Sequence, residues 1–146
     1  MKIIAMIPAR LGSTRVKNKN LRLIDGIPLI QYAVNAAKES QLINELYINS
    51  EADIFEEIAN KNSIKFYKRP HELSSDSATN DDFSLDFIEN IEGDILVQIL
   101  ATSPFISTKE IDGFIKKMLD KKFKTMISLT NVQIECIYEG SPINFN

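Results

Sequence analysis

Between residues 8 and 22 the chain collects Pro8, Arg10, Gly12, Ser13, Thr14, Arg15, Lys17, Lys19, Asn20 and Arg22. Five of these are cations, and no acid appears before Asp25. The whole chain carries a formal charge of −3, so this segment is a positive island on an acidic protein. An arginine offers a planar fork to oxyanions, a lysine a compact charge. Gly12 lets backbone N–H groups approach a ligand closely, and Ser13 and Thr14 add hydroxyl donors. The chemistry such a loop can perform is binding and neutralising a polyphosphate. The competing reading is a solvated basic loop that pairs with acids elsewhere in the chain. Neither G-x-x-x-x-G-K-[ST] nor G-x-G-x-x-G is present, which excludes two well-known phosphate loops.

The elements around the segment must hold it. Ile3-Ile4-Ala5-Met6-Ile7 reads as a short buried strand. Pro8 has no N–H to give a central ladder, so the chain is expected to turn there. The cations then lie at the carboxyl end of the first strand, where open α/β sheets bind ligands. Asp25-Gly26 reads as a turn, and Ile30, Ala33, Val34 and Ala37 recur at helical spacing over residues 28–40. Leu46–Ile48 and Ile64–Tyr67 read as strands, separated by a helix with Ile54, Phe55, Ile58 and Ala59 inward. Ser50 and Asp53 flank that helix start, as caps or as ligand groups.

Thr79 reads as the cap of a third helix, with Asp81 and Asp82 as partners of its dipole rather than metal ligands. Phe83, Phe87, Ile88 and Ile91 are its expected buried stripe, and Gly93 its end. Asp94–Ile99 is the second candidate for a central parallel strand. Ser107 and Glu110 form a capping box before a helix carrying Ile111, Phe114, Ile115, Met118 and Leu119. Thr125–Leu129 reads as a further strand. Val132, Ile134, Cys136 and Tyr138 read as a half-buried strand, broken by Gly140-Ser141-Pro142, with Cys136 a small core residue. Strands alternating with helices predict an α/β fold, a mostly parallel sheet between two helical layers.

Ile7-Pro8-Ala9-Arg10-x-Gly12-Ser13, then Lys19-Asn20-Leu21 and Gly26-x-Pro28-Leu29-Ile30, resembles the signature of the CMP-sugar synthetases. These cytidylyltransferases activate sialic acid and related 2-keto sugar acids. Arg69-Pro70-x-x-Leu73-x-x-Asp76 and Thr102-Ser103-Pro104 extend the resemblance over most of the chain. The resemblance implies a three-layer α/β/α, Rossmann-like nucleotide-diphospho-sugar transferase fold. It implies transfer of CMP from CTP to a sialic-acid-like (nonulosonic) acid, with pyrophosphate released. On that likeness Arg10 and Lys19 are the phosphate-binding and catalytic cations. Ala9, Gly12, Ser13, Asn20, Arg69 and Asp76 belong with them to the nucleotide site. For Arg69 and Asp76, a mutual pairing that orders their own loop is an equal contender.

Departures matter too. The family often has lysine directly after Gly-Ser; here Thr14-Arg15 follows, a version familiar from the KDO-activating branch. Leu100 stands where sialic-acid synthetases have a glutamine, and Gln98, on the same strand face, is the expected substitute. Gln98, Thr102 and Ser103 are therefore the expected sugar-side residues. Thr102 also occupies the place of a metal-binding aspartate of the KDO branch, which argues against KDO. Magnesium is the expected cofactor. Its ligands stay unassigned, because the late pair of aspartates used by the sialic-acid branch has no counterpart here. Members of the family are longer and dimerise through a segment near where residues 130–146 begin, so the chain is expected to be either truncated or a natural short relative with altered function, and its protein a homodimer.

The 146 residues suit one domain with a real core. The acidic balance argues against bulk nucleic-acid binding, and no run of about twenty apolar residues suggests a membrane span. The lone cysteine cannot form an internal disulfide, and the N-terminus runs straight into a strand, so a cytoplasmic location is expected. With His71 the only histidine, neither a zinc cluster nor a Ser-His-Asp arrangement is available.

Overall fold

A computed structural model describes residues 1–13, 16–129 and 135–144. Strand β1 (Ile3–Pro8), β4 (Glu45–Ser50), β5 (Lys65–Lys68) and β6 (Ile95–Gln98) form one parallel sheet in the order β5-β4-β1-β6. Strand β1 is buried on both faces, as its unbroken apolar run requires. Ile3, Ala5 and Ile7 face one helical layer and Ile4 and Met6 the other. The first layer holds α1 (Leu29–Lys38), α2 (Asp53–Lys61) and α4 (Thr108–Lys121), which bury Ile30, Val34, Phe55, Ile111 and Ile115. The second holds α3 (Asn80–Asn90), whose Phe87 lies edge-on to Tyr47 and Tyr67 at 5.3 and 5.1 Å. Phe55 and Phe87 are fully buried, each contributing about 1.5–3 kcal/mol. The expected three-layer α/β/α architecture is therefore present.

Both expected caps form. Thr79 and Asp82 make a capping box at α3, Ser107 and Glu110 at α4. Pro8 closes β1 rather than ending it early, in register with Asn49. Strand β4 continues past Ile48 through Asn49 and Ser50, which are fully buried because β1 and β5 flank them. A small hairpin, β2 (Leu23–Ile24) with β3 (Ile27–Pro28), turns at Asp25-Gly26 and delivers the chain to α1.

Four expectations are corrected. Strand β6 is an edge, not a central strand, among the described residues. Ile88 is exposed, because the face of α3 that meets the sheet is the Phe83, Phe87 and Ile91 side. Residues 125–129 form no strand: no described neighbour offers them a ladder, and Ile127 and Leu129 stand in solvent. In the tail, β7 (Ile137–Tyr138) pairs with β8 (Ser141–Pro142) across Glu139-Gly140, so the glycine turns the chain back. Its side chains and Cys136 are exposed, not half-buried or core. Val132 and Ile134 lie outside the described residues, as do Thr14 and Arg15. No described helix is long and apolar enough to cross a membrane.

Candidate active site

A cavity of about 570 Å³ opens at the carboxyl ends of the parallel strands. Ala9, Arg10 and Ser13 enter it from the loop after β1. Lys19 and Asn20 enter from a single 3-10 turn, Lys19–Leu21, set up by Asn18 in the left-handed region. Arg69, Leu73 and Asp76 come from the loop after β5, and Thr102 from the loop after β6. Asn80 and Phe83 of α3 complete the wall. Eight of the residues singled out in the sequence thus meet in one hollow: Ala9, Arg10, Ser13, Lys19, Asn20, Arg69, Asp76 and Thr102.

Three do not. Gly12 lines a second hollow, of about 480 Å³, on the other side of the loop, with Glu51 and His71. A methyl group at Gly12 would meet nothing within 4 Å, so the fold itself does not require glycine there. Gln98 is absorbed by a reciprocal amide pair with Asn80, at 3.0 and 2.5 Å. Ser103 closes a turn through its N–H to Leu100 O, at 3.0 Å.

The cations of the wall are in different states. One guanidinium nitrogen of Arg10 meets Asp76 at 2.9 Å, and another donates to the carbonyls of Ser74 and Ser75. Arg69 is only 3% exposed. It donates to Ala9 O at 3.0 Å and to Glu51 at 3.2 Å, and its guanidinium lies 4.9 Å from the Phe83 ring. Burial pulls its pKa down, and Glu51 resists that shift. The expected Arg69–Asp76 pair is therefore corrected: both residues are in ion pairs, but Asp76 takes Arg10 and Arg69 takes Glu51. Among the described residues the Lys19 ammonium has no ion pair and no hydrogen bond, although the side chain is half-buried against the cavity.

Glu51 is the functional-site residue that the sequence did not disclose. Oε1 accepts the Leu11 N–H at 2.8 Å, and Oε2 accepts the Ser74 hydroxyl at 2.8 Å. Burial acts to raise its pKa. The N–H groups of Leu11 and Glu51, the Ser74 hydroxyl and Arg69 outweigh that and hold it below the usual glutamate range. Its one visible signal is position, an acid directly after a buried strand end. Ser50 and Asp53 act locally. The Ser50 hydroxyl accepts the Ala52 N–H, and Asp53 pairs with Lys68.

Comparison with known proteins fits this geometry. The Cytidylyltransferase family model matches residues 4–138. The N-acylneuraminate cytidylyltransferase of Escherichia coli O18:K1:H7 is 32% identical over 133 residues, 88% of this chain and 31% of that protein. The 3-deoxy-manno-octulosonate cytidylyltransferase of Bdellovibrio bacteriovorus is 30% identical over 131 residues, 90% of this chain and 51% of that protein. The chain therefore spans about a third to a half of the length of these relatives. Among solved structures, a CMP:2-keto-3-deoxy-manno-octonic acid synthetase complexed with CTP superposes with a TM-score of 0.74. It is 23% identical, over 84% of this chain and 49% of that one, a likeness of fold. A cytidylyltransferase from Leptospira borgpetersenii superposes at 0.68 with 26% identity, over 84% and 50%. Matched by the family over all but a few residues at its start and its last eight, and built on the same parallel sheet, this chain belongs to the cytidylyltransferase family.

Proposed function

We propose that the chain forms the CTP site of an enzyme that transfers CMP to a nonulosonic 2-keto sugar acid. The observation that carries this reading is half-buried Lys19, whose ammonium has no partner among the described residues and which lines the same cavity as Arg10 and Ser13. An ammonium with no internal partner favours an anionic guest, and the cavity stands where α/β sheets bind nucleotides. In the reaction, the anomeric hydroxyl oxygen of the sugar acid bonds to the α-phosphorus of CTP. The bond from that phosphorus to the bridging oxygen breaks, and pyrophosphate leaves with its electron pair; the hydroxyl proton is released. The protein's part is alignment and neutralisation of charge. Arg10 would grip phosphate oxygens in its fork, exchanging Asp76 and the loop carbonyls for them. Lys19 would meet the charge that grows on the leaving pyrophosphate. Asn20, 8% exposed, spends one amide N–H on Arg10 O at 3.2 Å and thereby steadies the loop. Ala9 and Gly12 would serve through their backbone, and Arg69 chiefly by holding Ala9. On the sugar side, Thr102 faces the cavity. Gln98 and Ser103 would join only if the Asn80 pair and the Leu100 turn open.

Magnesium enters this reading on the triphosphate. Among the described residues no group of three or more His, Cys, Asp or Glu could cage an ion, and Asp76 is the one carboxylate on the cavity wall. That donor set suits an ion whose ligands are mostly phosphate oxygens and waters, with Asp76 as the protein's carboxylate. The ion would neutralise phosphate charge. A cytoplasmic homodimer is part of the same reading, the dimer being open to test by light scattering.

The test is pyrophosphate release from CTP and magnesium with a panel of 2-keto sugar acids, beside a CTP thermal-shift measurement. Release with N-acylneuraminate or another nonulosonic acid is the expected result. Release only with 3-deoxy-octulosonate would move the assignment to the branch of the Bdellovibrio relative. A second reading, nucleotide binding without turnover, is favoured by the single cavity carboxylate; a thermal shift without release would establish it. Neither shift nor release would overturn both.

A further inference from the structure

We infer that Glu51 is the positioning residue that aims Arg10 into the cavity. This rests on the CTP-site reading above and assigns a role to a residue outside the phosphate loop.

The backbone on either side of Arg10 is fixed at four points. Ala9 N–H donates to Asn49 O at 2.9 Å, and Ala9 O accepts Arg69 at 3.0 Å. Arg10 O accepts Asn20 at 3.2 Å, and Leu11 N–H donates to Glu51 Oε1 at 2.8 Å. One of these anchors is Glu51 itself. A second is Arg69, a nearly buried guanidinium whose one ion pair among the described residues is with Glu51 Oε2 at 3.2 Å. The far end of Arg10 leads back to the same carboxylate. Its guanidinium is held by the carbonyls of Ser74 and Ser75, and the Ser74 hydroxyl donates to Glu51 Oε2 at 2.8 Å. So one carboxylate, its side chain 10% exposed, ties the loop after β1 to the loop after β5, the two walls between which Arg10 reaches. A charged acceptor suits this work, since hydrogen bonds to an ionised group are shorter and stronger than neutral ones. A neutral side chain would leave the Arg69 charge buried without a partner.

The experiment compares CTP dissociation constants of Glu51→Ala, Glu51→Gln and Ser74→Ala with that of the parent chain. It adds amide hydrogen exchange at Leu11 in the nucleotide-free protein. Glu51→Ala should weaken CTP binding by about tenfold or more and should expose the Leu11 amide to exchange. Glu51→Gln keeps an acceptor for that N–H but cannot accept from Arg69, so it should restore Leu11 protection and only part of the affinity. Ser74→Ala cuts one tie without stranding a charge, and should weaken binding about two- to fivefold in a fully folded protein. Phe87→Leu, in the opposite core, serves as the control for lost stability and should bind CTP as the parent does. The inference is overturned if Ser74→Ala and Glu51→Gln bind CTP at parental strength, or if Phe87→Leu loses as much affinity as Glu51→Ala. It is also overturned if Leu11 exchanges freely in the parent chain. If the parent does not bind CTP but Leu11 protection follows Glu51, the nucleotide reading fails while the tether stands.

Discussion

Arg10 and Lys19 carry the same charge into one cavity, yet their removal should read differently. Arg10 already has partners, and its ion pair with Asp76 is solvent-facing, the aspartate side chain being 69% exposed. Such pairs contribute only about 0–1 kcal/mol. Arg10→Ala should therefore leave the melting temperature of the empty protein nearly unchanged while abolishing its rise with CTP. That rise corresponds to about 2.7 kcal/mol when CTP is at 100 times its Kd. A retained shift would remove Arg10 from the site. Lys19 has no ion pair or hydrogen bond among the described residues, so Lys19→Ala should melt at the parental temperature or slightly above. If its role is at the leaving pyrophosphate, kcat should fall by more than CTP affinity does; equal losses would make it a binding group only. Both cations could be read from sequence because they stand in one short basic segment of distinctive spacing, although the partners of Arg10, namely Ser74, Ser75 and Asp76, come from another loop. Glu51 could not. Its partners Leu11, Ser74 and Arg69 lie 40, 23 and 18 residues away, and only the folded sheet brings them to one carboxylate.

At the level of elements, the close approach of β1 to the turn before β6 makes one glycine indispensable. A methyl group on Gly93 would stand 2.8 Å from Ile4 Cδ1 and 2.9 Å from its Cγ1, and Ile4 is 1% exposed in the central strand. Gly93→Ala should lower stability by about 1–3 kcal/mol through overpacking, measured by urea unfolding, with CTP binding unchanged. Thr79→Ala removes one half of the α3 capping box and should cost about 1 kcal/mol. Because Asn80 and Phe83 of that first turn line the cavity, some loss of CTP affinity should accompany it. Elements with a strong period or a side-chain cap, such as β1, α1, α3 and α4, were legible in the sequence. Residues 125–129 were not, because strand propensity says nothing about whether a ladder partner is present. Ile88 misled for a related reason. Helical spacing gives a stripe, but which side of it meets the sheet depends on where Tyr47 and Tyr67 place their rings.

For the molecule as a whole, acid stability should be set by carboxylates at opposite ends of the sheet. Glu45 is held down from 4.5 to about 2, first by the Lys65 ammonium and then by the Tyr47 hydroxyl; burial opposes them, and Lys2 adds a lesser pull downward. Glu51 is likewise depressed by its ring of donors. A carboxylate with a depressed folded pKa adds stability that is complete above its unfolded pKa and is lost as pH falls through the folded one. Stability should thus hold above about 4.5 and decline toward 2, the interval over which Glu45 titrates between the two states. Glu45→Gln should flatten that decline without touching CTP affinity, since Glu45 lies at the start of β4, away from the cavity. An unchanged acid limb in Glu45→Gln would show that its ion pairs do not persist in solution. The three-layer plan and most of the cavity's wall could be foreseen. Which acid neutralises which cation could not: Asp76, close to Arg69 in the chain, pairs with Arg10 instead, and Arg69 pairs with Glu51.

Every described residue lining the cavity lies at or before Thr102. The helix α4, residues 122–129 and the exposed hairpin contribute no wall, although family likeness runs on to residue 138. On the proposed reading, the wall that would face the nucleotide is encoded before residue 103, so substitutions in α4 or the hairpin should leave it standing.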